Sequence, residues 1–95
     1  MPKAVDVNLD ASEMVLKVAK ESDHQTIEYS KLDRLVMVNE PVRKLFRTVG
    51  IKGIEVQVRG MEEPFLITSN EVGDYDHIEG YLLKVAEKYD VAVEH

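Results

Sequence analysis

Residues 53–68 impose the tightest local constraint on this chain. Ile54, Val56 and Val58 alternate with Glu55, Gln57 and Arg59, the period of a strand with one buried and one solvated face. Gly60 and Pro64 bracket a short reversal, after which Phe65, Leu66 and Ile67 form a second apolar run. The stretch therefore predicts a β-hairpin, and the sheet it provides is the surface onto which the flanking amphipathic segments can fold.

Upstream, Leu35, Val36, Met37 and Val38 form an unbroken apolar run, the pattern of an interior strand covered on both faces. Asn39, Glu40 and Pro41 then carry helix-start chemistry: a capping side chain, a carboxylate at the positive end of the dipole and a proline in the first turn. Val42, Leu45, Phe46 and Val49 fall at helical spacing and Gly50 is placed to stop the helix, so a helix is expected over 41–49. A second helix is expected from Asp74 or Asp76 to Tyr89, with Ile78, Tyr81, Leu82, Val85, Ala86 and Tyr89 on one face. Gly80 inside it implies a close contact, since glycine costs about 1 kcal/mol there against alanine.

Val5, Val7 and Leu9 alternate with polar residues, which predicts a first strand, and Val91, Ala92 and Val93 predict a closing one. Residues 10–29 fit two templates. Ala11, Met14, Val15, Val18 and Ala19 have helical spacing, with Asp10 and Glu13 in capping-box order. Met14, Leu16 and Val18 also alternate, and turn chemistry at 22–25 leads into strand formers at 26–29, which is a hairpin. The balance tips slightly to the hairpin. The expected fold is α+β: one domain over 1–95, a largely antiparallel sheet with the 53–68 hairpin central, and two packed amphipathic helices.

Ninety-five residues are enough for one core without metal or disulfide support. No apolar run reaches the roughly 18 residues a membrane helix needs, and residues 1–6 lack the apolar centre of a secretory signal, so a cytoplasmic protein without membrane association is expected. The chain has no cysteine, which removes disulfides, thiolate nucleophiles and cysteine-ligated zinc. A charged fraction of 32% with few Asn and Gln leans toward a thermophilic source. The net charge of −6 argues against a nucleic-acid binder, which needs excess positive charge to displace counterions.

The densest polar cluster is Asp74, Asp76, His77 and Glu79. Carboxylates and an imidazole this close could hold a divalent cation or act as an acid/base pair, which would make the chain a small metal-dependent enzyme or metal-binding protein. The order matches neither a calcium loop nor the paired histidines of a metalloprotease helix. The preferred reading is that Asp74 or Asp76 caps the last helix, with Tyr75 entering the core. Ser12, Ser22, Ser30 and Ser69 sit in no nucleophile motif, and 50–53 lacks the frame of a phosphate loop. No catalytic residue and no cofactor is expected.

Charge is partitioned more strongly than any motif is defined. Arg43, Lys44, Arg47, Lys52 and Arg59 stand against Glu55 alone in 41–59, whereas 60–83 holds Glu62, Glu63, Glu71, Asp74, Asp76 and Glu79 and no cation. The plain reading is two solvated faces. The functional one, carried forward, is a non-enzymatic structural or protein-interaction module that self-associates or joins an assembly, with Arg43, Lys44, Arg47 and Lys52 meeting Glu62, Glu63 and Glu71. A third reading, a nucleic-acid-binding regulator using the basic 41–49 segment, is opposed by the acidic remainder and the lack of interleaved aromatics.

Overall fold

The computed structural model describes the backbone of residues 1–44 and 47–95, and side chains outside 40–49. Among the described residues there are seven strands, one short 3₁₀ turn and one α-helix, an α+β arrangement built mainly of antiparallel sheet. Strands β1 (Ala4–Leu9), β2 (Glu13–Val18) and β3 (His24–Glu28) form an antiparallel sheet in that order. Strands β4 (Leu32–Lys44), β5 (Arg47–Val58), β6 (Phe65–Thr68) and β7 (Ala92–Glu94) form a second, in the order β6-β5-β4-β7, with β7 parallel to β4. Residues 2–3 stitch the two sheets together. Leu66 N–H donates to the Pro2 carbonyl (2.8 Å) and Ala19 N–H to the Lys3 carbonyl (2.9 Å).

Helix α1 (Tyr75–Tyr89) packs on the sheets and closes the core. Its Ile78, Leu82, Val85 and Ala86 are buried, one stripe at helical spacing. They join Leu35, Ile54, Val56 and Ile67 from one sheet and Met14, Leu16 and Val18 from the other. The helix ends at Asp90, which adopts a left-handed conformation (φ 56°); the Ala86 carbonyl accepts from both Asp90 N–H and Val91 N–H (2.8 Å for the latter).

The two templates for 10–29 are resolved in favour of the hairpin. Met14, Leu16 and Val18 are buried while Val15 and Ala19 are half-buried and Ala11 is exposed, so period two decides burial. The 41–49 helix is corrected: the described backbone there is ladder, with Pro41 opposite Gly50 and Val42 opposite Val49. A nine-residue helix is marginal alone, and β-branched Val42, Thr48, Val49 and Ile51 favour strand. Pro41 is tolerated because each strand of a two-stranded ribbon is an edge strand. Leu45 and Phe46 of the expected apolar stripe lie outside the described residues.

Hence, among the described residues, one helix packs on the sheets, where two were expected. The central position of the 53–68 hairpin is corrected too. β5 and β6 do pair antiparallel from Gly53–Thr68 to Val56–Phe65, but β6 is an edge strand, and β4 and β5 occupy the middle.

Two glycines test the packing in opposite directions. A Cβ at Gly53 would stand 2.8 Å from Val38 Cγ2 and 3.3 Å from the Ile67 carbonyl oxygen, whereas at Gly80 it would meet nothing within 4 Å, so the close contact expected there is absent. Gly53→Ala should lower stability by about 1–3 kcal/mol through overpacking. Gly80→Ala should raise it by up to about 1 kcal/mol through helix propensity. Urea unfolding of both variants checks the pair, and equal shifts would contradict the placement of either residue.

Candidate functional site

The β4–β5 ribbon outruns its neighbours. β6 reaches β5 only over Gly53 to Val56, and β7 reaches β4 only over Arg34 to Val36. From the Asn39–Lys52 pair to the Lys44–Arg47 pair the described ladder is two-stranded, a reach of roughly 17 Å at about 3.4 Å per residue. Arg43, Lys44 and Arg47 occupy its last two registers, opposite Thr48 and each other. Residues 39–52 carry four cations and one carboxylate. This is a basic arm.

Lys52 belongs to the base of the arm. Its N–H donates to Ser69 Oγ (3.1 Å), its carbonyl accepts from Ser69 N–H (2.8 Å), and its ammonium stands 4.0 Å from Asp76 Oδ1. Both charged ends of that pair are well exposed, so it contributes little to stability. Glu71 is exposed in the turn between β6 and α1. Glu62 and Glu63, also exposed, sit in the loop that follows the far end of β5. Along β5 the distance from Arg47 to Val58 is about 36 Å at 3.3 Å per residue, within a molecule 43 Å long. The fold thus brings Lys52 near one carboxylate and holds the arm's closing registers and the Glu62–Glu63 loop at opposite ends.

The 74–79 cluster disperses around the first turns of α1. Asp74 occupies the expected N-cap position and Asp76 lies in the first turn, but Asp74 makes no side-chain capping hydrogen bond. Asp76 faces Lys52, and the His77 ring lies 6.4 Å from that of Tyr81. Among the described residues no three His, Asp or Glu side chains converge on a point where a cation could sit. Tyr75 is in the core as expected, with its hydroxyl buried and unpartnered. Together with Met37, Lys52, Glu79, Leu83 and His95 it lines an open cleft of about 440 Å³ between the arm's base and the helix. Burial, and after it the neighbouring Glu79 carboxylate, pushes the Tyr75 hydroxyl above its ordinary pKa.

Two features escaped sequence reasoning. Tyr29 and Tyr81 both donate to the Asp10 carbonyl, at 2.8 and 3.1 Å, with Tyr89 edge-on to the Tyr29 ring. Tyr29 is fully buried, and its pKa too is raised, chiefly by that burial. The partners lie 19 and 71 residues apart in sequence, so no local pattern could signal them. The second feature is the sheet face turned away from α1. There Val36, Val38, Ile51 and Leu66 are only half-buried and Met1 is exposed. Met1, Val38, Ile51 and Leu66, with Glu55 and Thr68, line a hollow of about 100 Å³ beside Gly53.

Among the described residues, no helix is long and apolar enough to cross a membrane. No family model matches the chain, and no curated protein or solved structure matches it either.

Two outcomes are expected. Calcium, magnesium, manganese and zinc should each leave the melting temperature unchanged, and a rise of several degrees would restore the metal reading of Asp74, Asp76, His77 and Glu79. Tyr29 and Tyr75 have folded-state pKa values raised above the ordinary 10.0, so above that pH the unfolded chain loses protons that the folded chain keeps. Stability should be insensitive to their ionisation below about pH 10 and fall as pH rises beyond it. Urea midpoints at about pH 8 and about pH 11 measure the fall, which Tyr29→Phe with Tyr75→Phe should reduce.

Proposed function

We propose that the protein is a non-enzymatic interaction module that associates with further copies of itself through oppositely charged ends. The observation that carries this reading is the separation of the basic arm from the Glu62–Glu63 loop along β5. At about 36 Å that distance is several times the Debye length of about 10 Å at 0.1 M salt. The two ends of one molecule cannot neutralise each other across it. Two molecules lying antiparallel bring each basic end to the other's acidic end, and the attraction both steers the encounter and sets its direction.

Outside the arm, 17 carboxylates face eight cations, so an arm without a partner leaves the remainder with uncompensated repulsion. The reading also accounts for the placement of the cations in the last registers of a ribbon, beyond the reach of β6 and β7.

Light scattering across protein and salt concentration tests it. The mass should exceed the 10.8 kDa of one chain at low salt. The association should weaken as salt approaches 1 M, where the Debye length is about 3 Å. Replacing Arg43, Lys44 and Arg47 together with Glu should weaken association at low salt and leave the circular dichroism spectrum unchanged, because like charges then oppose the acidic end. A monomer at every salt and protein concentration would refute self-association.

A further inference from the structure

We propose that the sheet face turned away from α1 is where two copies meet, packed face to face about a two-fold axis near Gly53 with their β5 strands antiparallel. This rests on the self-association reading and adds to it the surface and the geometry.

Register and exposure together define the surface. Leu35, Ile54, Val56 and Ile67 point into the core and are essentially inaccessible, so their strand neighbours of opposite parity, Val36, Val38 and Leu66, lie on the other side of the sheet, with the half-buried Glu55 paired between Val36 and Leu66. Those three and Ile51 remain half-buried, with the exposed Met1 beside Val38, Ile51 and Leu66. The backbone register carries the same parity out along the arm as far as the Val42–Val49 pair.

A second copy is the occupant that the charges select. The midpoint of β5 (Arg47–Val58) falls between Lys52 and Gly53, so a two-fold axis there sets residue 47 of one copy over residue 58 of the other. That lays each basic arm beside the other copy's 59–63 segment, where Glu62 and Glu63 outnumber Arg59, an attraction a single molecule cannot make. The shape agrees as well. The hollow over Gly53 sits on the axis, where two sheet faces about 10 Å apart need room for the side chains that ring it. Such an isologous contact closes at two copies, whereas charged ends meeting head to tail would build open chains.

Val36→Lys combined with Leu66→Lys tests the surface. Both positions pair with Glu55 across the ladder, so the lysines gain an opposite charge within the monomer and the fold should survive. In sedimentation equilibrium the parent should plateau at twice the chain mass. The double variant should raise the dissociation constant at least about tenfold at 0.1 M and again at 1 M salt, where charge contacts are screened and the Arg43, Lys44 and Arg47 reversal should have little effect.

The chain has no cysteine, so orientation can be read by crosslinking. A mixture of Lys44→Cys and Glu62→Cys proteins should form the mixed disulfide in preference to either symmetric one. Unchanged association in the lysine variant would overturn the face and leave the charged-end reading standing. Preferential self-crosslinking of the Lys44→Cys protein would overturn the antiparallel arrangement, and a parent that stays monomeric throughout would overturn both readings.

Discussion

The mismatch in length between the β4–β5 pair and everything beside it is the constraint from which the rest of the architecture follows. β4 and β5 run for 13 and 12 residues, while β6 and β7 offer four and three. A two-stranded ribbon alone is marginally stable in water. The outer half can persist only because its inner half is clamped at Leu35–Val56 and Met37–Ile54, between edge strands and under α1. Gly53 is the junction. With no Cβ it lets Val38 lie across it, so the two strands stay closely paired where the ladder passes from four strands to two.

The first sheet is joined differently. Its contact with α1 combines apolar burial with one backbone oxygen, the Asp10 carbonyl in the β1–β2 turn, which accepts from Tyr29 and from Tyr81. Tyr29 is fully buried, and a buried hydroxyl without a partner would be costly. The geometry that satisfies it therefore also fixes the turn against the helix. Two bonds to a single acceptor make this junction more specific in position than an apolar contact of similar area.

How much of this was legible depended on whether one periodicity was in command. β1, β7 and α1 could be placed because their patterns have no rival. Residues 41–49 could be misread because Val42, Leu45, Phe46 and Val49 satisfy a helix while Val38, Val42, Val49 and Ile51 satisfy a ladder. Asn39, Glu40 and Pro41 then supplied local start chemistry for the wrong template. Pairing with β5 outweighed that preference, a tertiary effect invisible in a local window. The charge partition was legible as composition, but its geometry was not. Lys52 beside Asp76, and the closing registers far from Glu62 and Glu63, follow from the direction of β5. Sequence proximity placed Lys52 with the other cations, yet its main-chain bonds to Ser69 tie it to the start of the acidic half.

The run Leu35, Val36, Met37, Val38 retains a meaning beyond the fold of one copy. Unbroken apolar runs belong to strands covered on both faces, and α1 covers only the face of Leu35 and Met37. A strand meant for water on its second face would alternate, as β5 does at Glu55 and Gln57 and β2 does at Lys17. Val36 and Val38 break that rule within a chain that obeys it elsewhere, and they do so where Gly53, Ile51 and Leu66 enlarge the same apolar area. Apolar area left partly accessible on a sheet face, here interrupted by Glu55, is a feature of protein contact sites. In the proposed pair the second face of β4 gains the cover its composition calls for. The charged ends then act on direction and the valines on burial, so affinity and orientation are set by different residues and can be altered separately.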